Sequence, residues 1–256
     1  MSVAPDSRTL PRASRSFGGA CEVPPRSFMG LLGPHLRCVV EALTSAPGVG
    51  MVLATDEGIP LWANRSLTEM IYGADAKPEN YCGRPWHETM PEAWVRERLG
   101  MLREMRRTGE ACMVRAVWRG RQHLACWHPI DRPDDPSKPA TFFAFLRRMD
   151  GRQLTDETRG NEHRLIDSSI IDPGVLGVLS KRELEVLALI GQGLSMREIA
   201  KVLCRSEKTI DGHRQSIGRK LGAASKSQLA TIATHSGLRV EDAAKTRAGE
   251  YGLSHR

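Results

Sequence analysis

The chain has no stretch approaching the ~18–20 uninterrupted apolar residues that a membrane-spanning helix needs. Its first residues hold arginines but no continuous apolar core leading to a small-residue cleavage site, so no secretory signal is expected. A dense cysteine framework is missing too. Cys21, Cys38, Cys82, Cys112, Cys126 and Cys204 are scattered over 256 residues, which fits a reducing compartment and makes cytoplasmic the expected location. The signatures GxxxxGK(S/T), GxSxG and HExxH do not occur, so neither a phosphate-cradling loop nor a serine elbow nor a helical zinc site is indicated, and no enzyme is expected. The N-terminal half does not alternate parallel strands and helices, which argues against a receiver domain phosphorylated on aspartate.

What is present is ordinary globular composition, 40% hydrophobic and 26% charged, enough for one large domain or two modest ones. The net charge of +7 is unevenly placed: residues 39–150 are neutral, 151–178 carry −2, and 179–240 carry +6. A local basic excess favours a polyanion through phosphate contacts and counterion release, although a solvated basic face would look the same by charge alone.

Residues 1–33, rich in Arg, Ser, Gly and Pro without periodicity, read as a disordered tail. A short helix is predicted over 35–46, then a strand over 49–54, a TDEG turn and a second strand in IPLWAN. Asn64 can cap a helix that puts Leu67, Met70 and Ile71 on one face. Residues 92–108 form a stronger amphipathic helix with Trp94, Val95, Leu99, Leu102 and Met105 at helical spacing. Strands ACMVRAVW and HLACWHPI flank an Arg119-Gly120 turn, and TFFAFL follows a polar loop. This order predicts an antiparallel sheet with helices on one face, an α+β domain over 34–149. Together with VLATDEGIPLWANRS and the Gly83-Arg84-Pro85 step before a long helix, it resembles the PAS sensory fold. That resemblance implies a sensory and dimerisation role, with a small-molecule or protein signal. Residues 150–178 mix charge with Gly and Pro and read as a linker with a short helical turn near 163–166; residues 241–256 read as a tail.

From Leu179 four helix starts can be read from capping chemistry: Ser180 with Glu183, Ser195 with Glu198, Ser206 with Thr209, and Ser225 with Gln228. Amphipathic stripes follow each, including Ile199, Val202 and Leu203, then Ile210, Ile217 and Leu221. Only Cys204 and Arg205 separate the second helix from the Ser206 cap of the third, a helix-turn-helix spacing. The passage LSKRELEVLALIGQGLSMREIAKVLCRSEKTIDGHRQSIGRKLG resembles the LuxR-type DNA-binding domain, placed at 179–240. The resemblance implies an all-α four-helix domain whose third helix enters the major groove of double-stranded DNA and whose fourth supplies a homodimer contact. Carried over residue by residue, Asp211, Gly212 and Gln215 would face bases. Lys201, Lys208, Thr209, His213, Arg214, Arg219 and Lys220 would touch phosphates. Asp211 stands where a lysine is frequent in the family; a carboxylate accepts from cytosine but repels phosphate, so it should shift sequence preference.

Other candidates are weaker. Cys112, His123, Cys126 and His128 could suggest zinc, but strand alternation splits them between two faces and no CxxC pair is present, so no metal is expected. For flavin photochemistry the position three after Gly83 is Trp86, and Cys82 is misplaced. The helix 92–108 holds no histidine for haem, leaving only His87 before it; no cofactor is expected. Trp86, Trp94, Trp118 and Trp127 read as core. The expected function is a DNA-binding transcriptional regulator under a PAS-like sensor. A sigma-factor-like promoter binder and a PAS-based interaction module are the alternatives.

Overall fold

The computed structural model describes residues 42, 44, 46, 48–131, 133–135, 137–149 and 163–249. The tail 1–33 lies outside the described residues, and the helix expected over 35–46 lies almost wholly outside them. Strand β1 (Val49–Thr55) pairs antiparallel with β2 (Pro60–Ala63). Asn64 then does two jobs from a buried position. Its Oδ1 accepts from the Leu67 amide at 3.0 Å, capping helix α1 (Arg65–Tyr72), and from the Met51 amide at 2.8 Å, tying that helix start to β1. A single helical turn, α2 (Trp86–Thr89), precedes the long helix α3 (Glu92–Thr108).

Strands β3 (Cys112–Trp118) and β4 (Arg121–Asp131) are joined by Arg119 and Gly120, both with positive φ (49° and 71°). Two consecutive left-handed residues match the right-handed twist of a hairpin, which is why the two-residue turn is tolerated with arginine in it. With β5 (Thr141–Arg148) the sheet runs β2-β1-β5-β4-β3, antiparallel throughout, and the core residues of α1–α3 pack on one face of it. This is the α+β arrangement, an antiparallel sheet with helices on one face, that the element order predicts.

The linker reading of 150–178 needs correction. Residues 150–162 are outside the described set, but β6 (Arg164–Ile171) is a strand, parallel to β3, and a 3-10 turn follows at Gly174–Val178. The helical turn expected near 163–166 is absent. A parallel partner some fifty residues earlier leaves no hairpin signal in the local sequence. The tail reading of 241–256 is corrected likewise. Val240–Ala244 is a 3-10 turn with Asp242 buried, and β7 (Thr246–Arg247) pairs with β6 as the last strand of the sheet.

Strand alternation makes β3 two-sided. Cys112, Val114 and Trp118 join the core under α1–α3, whereas Val117 faces away and joins a second core with Ile171, Leu179, Leu187, Ile199 and Ile210. The C-terminal helices therefore share a continuous apolar core with the far face of the sheet. None of the described helices is long and apolar enough to cross a membrane.

Candidate nucleic-acid interface

Four helices follow the sheet: α4 (Lys181–Gly191), α5 (Met196–Val202), α6 (Glu207–Leu221) and α7 (Lys226–Ser236). Each begins where the capping chemistry requires. Ser180, Ser195 and Ser225 form reciprocal capping boxes with Glu183, Glu198 and Gln228, and Ser206 Oγ accepts from the Thr209 amide at 3.1 Å. Between α5 and α6 the chain turns through Cys204 at φ 50°, with the Arg205 amide donating back to the Ala200 carbonyl at 2.9 Å. Leu187, Ile199, Ile210 and Ile217 are fully buried, each stabilising the bundle by roughly 1.5–3 kcal/mol.

Because Ile210 and Ile217 hold one side of α6 against the bundle, the opposite side is presented outward. Lys208, Gly212, Gln215 and Arg219 follow one another at helical spacing along that ridge, and all four are exposed. Gly212 has open space around it: a methyl there would meet no atom within 4 Å, so packing does not demand the glycine. Lys201 and Thr209 are exposed beside the ridge, and His213 is half-buried. Lys201, Lys208 and Arg219 form no ion pair with any described residue.

Several of the candidate residues are already engaged with one another or with the bundle. The Asp211 carboxylate accepts from Arg214 Nε at 2.9 Å and from Gln215 Nε2 at 2.7 Å, and these bonds hold its pKa below the usual carboxylate value. Lys220 reaches inward rather than outward. Its Nζ lies 2.6 Å from buried Glu183, which also accepts from Ser216 Oγ at 2.7 Å and from the Ser180 amide at 2.7 Å. Despite burial, these donors hold the Glu183 carboxyl down to about 2. Lys220 is thus a brace between α4 and α6.

Sequence reasoning left out Lys226. It lines one groove with Arg214, Gln215, Arg219 and Ser225, where the end of α6 meets the start of α7. The signal was available in its place beside the Ser225 cap. A fourth helix read only as an apolar dimer contact hid it.

Elsewhere, an apolar cavity of about 60 Å³ lies between the helices and the sheet, lined by Val52, Leu67, Tyr72, Trp86, Trp94 and Trp127 among others. Cys82 lines it, whereas His87 is exposed and does not. Cys126 and His128 stand two residues apart on β4, with His123 on the alternate face; among the described residues no three His, Cys, Asp or Glu side chains gather as a metal group.

Residues 177–233 match the model of bacterial regulatory proteins of the luxR family. The virulence regulator BvgA of Bordetella pertussis is 34% identical over 90 residues, 35% of this chain and 43% of that protein. The oxygen regulatory protein NreC of Staphylococcus aureus is 48% identical over 56 residues, 22% of this chain and 26% of that protein. The chain thus spans less than half the length of these curated relatives. Among solved structures, the Vibrio cholera VqmA–ligand–DNA complex aligns with a TM-score of 0.43 at 20% identity, over 84% of this chain and 95% of that one. The PAS domain of Bordetella pertussis BvgS aligns with a TM-score of 0.28 at 14% identity, over 50% of this chain and all of that domain. Capping pattern, helix-turn-helix geometry and family match coincide on the same segment: residues 177–233 of this chain form a helix-turn-helix domain of the LuxR family.

Proposed function

We propose that the chain is a cytoplasmic, sequence-specific transcriptional regulator that binds operator DNA as a homodimer through residues 179–240, under control of the PAS-like unit at 34–149. The observation that carries this reading is the exposed ridge of α6. Lys208, Gly212, Gln215 and Arg219 point away from a helix whose other side is locked by Ile210 and Ile217. A helix so presented fits a major groove about 12 Å wide. In this reading Gln215 and Asp211 contact base edges, Gly212 lets the helix backbone come close, and Lys201, Lys208, Thr209, His213, Arg214 and Arg219 approach phosphates. Lys220 supports the interface through Glu183 instead of reaching DNA itself.

The outward residues of α7, among them Ser227, Thr231 and His235, are exposed and available to a second copy. The tryptophan-lined cavity is the place for a small apolar signal molecule. Val114 and Ala116 of β3 line a second, smaller cavity beside it, one residue from the side chains that hold the helical domain.

Selection from a random duplex pool over a salt series tests the reading. It expects a symmetric site, with Gln215→Ala changing the preferred sequence. Enrichment that stays sequence-blind, with only a salt-dependent background, would remove operator recognition and leave a protein-interaction role in the lead.

A further inference from the structure

The family match ends at residue 233, yet the chain runs on along the sheet to Gly249. On the 3-10 turn Val240–Ala244, Asp242 is 1% exposed and accepts from Arg115 Nη1 at 2.8 Å and Nη2 at 2.5 Å. Arg115, on β3, is itself 0% exposed and also donates to Gln122 of β4 and to Asp167 of β6. Lys245 completes the cluster, 2.7 Å from Asp167 and 2.8 Å from Asp242, so two cations meet two carboxylates. Beyond it, the Ala248 amide donates to the Ile171 carbonyl, and Arg247 donates to the carbonyls of Gly177 and Leu179 at the entry to α4. Residues 238–249 are therefore a strap that touches both the entry and the exit of the DNA-binding domain and fastens them to the sheet.

A buried ion cluster of this kind adds little net stability, because desolvation offsets most of the attraction; what it supplies is a fixed geometry. If the strap lifted, Arg115 and Asp242 would both meet water, so opening strands no charge. The recognition ridge is exposed while the strap is fastened. The strap does not mask the ridge. It aims it.

We propose that this strap, fastened by Arg115 and Asp242, is a specificity determinant for DNA: it fixes the angle of α6 to the sheet, so that a pair of chains accepts one half-site spacing. The inference rests on the operator-binding reading above. The test uses the full chain and its Asp242→Asn variant, which keeps an acceptor for the Arg239 amide but loses the charge. Each is titrated with duplexes bearing the selected half-site singly, or as inverted pairs stepped by one base pair through a helical turn. The wild type should favour one spacing by about tenfold or more over those half a turn away. Asp242→Asn should flatten that preference to about threefold, keep single half-site affinity, and speed hydrogen exchange at the Ala248 amide by about tenfold. A chain ending at Arg239 should show the same flattened spacing preference with single half-site affinity retained, which guards against a folding defect peculiar to the substitution. Unchanged exchange, an unchanged spacing profile, or a wild type indifferent to spacing would each overturn the strap. A wild type that binds no duplex specifically would instead remove the operator reading, and this inference with it.

Discussion

Asp211 and Gln215 stand one turn apart on α6, and the Asp211 carboxylate takes a hydrogen bond from the Gln215 amide at 2.7 Å. The amide nitrogen is thereby anchored, while Arg214 is drawn to the other carboxylate oxygen. Asp211→Ala frees both side chains and removes a charge that repels phosphate. Affinity for non-cognate duplex is expected to rise several-fold and its salt slope to steepen by about one. Discrimination at the contacted base should fall by about tenfold. Paired titrations on selected and scrambled duplexes read both effects; a parallel change on the two would show that Asp211 does not organise Gln215.

Glu183 gives a stability prediction with a definite pH window. Its folded pKa, about 2, lies below the ordinary carboxylate value, so its contribution is complete above about pH 4.5 and is lost as pH falls toward 2. Near neutrality Glu183→Ala and Lys220→Ala should each destabilise the helical domain, by about 2 kcal/mol for the buried glutamate. Thermal unfolding between pH 7 and pH 2 should show the gap between wild type and Glu183→Gln closing on acidification. A Lys220→Ala chain with unchanged Tm and weakened DNA binding would return that lysine to the phosphate set.

His123 makes the opposite half of the chain sensitive in a different range. It is buried on β4, and burial with the nearby Arg148 charge pushes its pKa down to about 4. Neutral imidazole is therefore the native form, and stability present above about pH 6.5 should erode as pH falls toward 4, at up to about 1.4 kcal/mol per pH unit. His123→Phe should flatten the unfolding free energy over that interval. A slope equal to wild type would assign the effect to another group.

Two glycines predict opposite outcomes. At Gly237, φ is 62° and an added methyl would stand 2.8 Å from Gln122 Cβ and 2.9 Å from the Met149 carbonyl. Gly237→Ala should therefore cost more than about 1 kcal/mol and disturb the seat of α7 on the sheet. Gly212 lies mid-helix in open space, so Gly212→Ala should raise stability by about 1 kcal/mol. If the helix backbone approaches DNA there, the same methyl should weaken binding. A more stable protein with undiminished affinity would take Gly212 out of the interface.

The helical domain was legible because its signals are local. Ser180, Ser195, Ser206 and Ser225 announce helix starts within three residues, and the bounds of α3 and the Arg119-Gly120 turn follow equally short rules. What escaped was written over distance. RLIDSSII becomes a strand only because β3 offers it a parallel edge, and VEDAA docks only because Arg115 waits 127 residues earlier. The site was legible as a set of positions, not as a network. Nothing in the order of residues says that Lys220 turns toward Glu183, or that Asp211 holds two of its neighbours.

The two faces of β3 carry a consequence for how this chain can vary. Val114 and Ala116 look into the interior space, and Arg115 and Val117 anchor the helical domain. A one-residue deletion anywhere between Cys112 and Trp118 would exchange these duties, driving a guanidinium among tryptophans and offering Asp242 a valine or an alanine. Length in this strand is therefore held more tightly than identity. A frame slip of one position would cost the molecule both its hollow and the anchor of its strap.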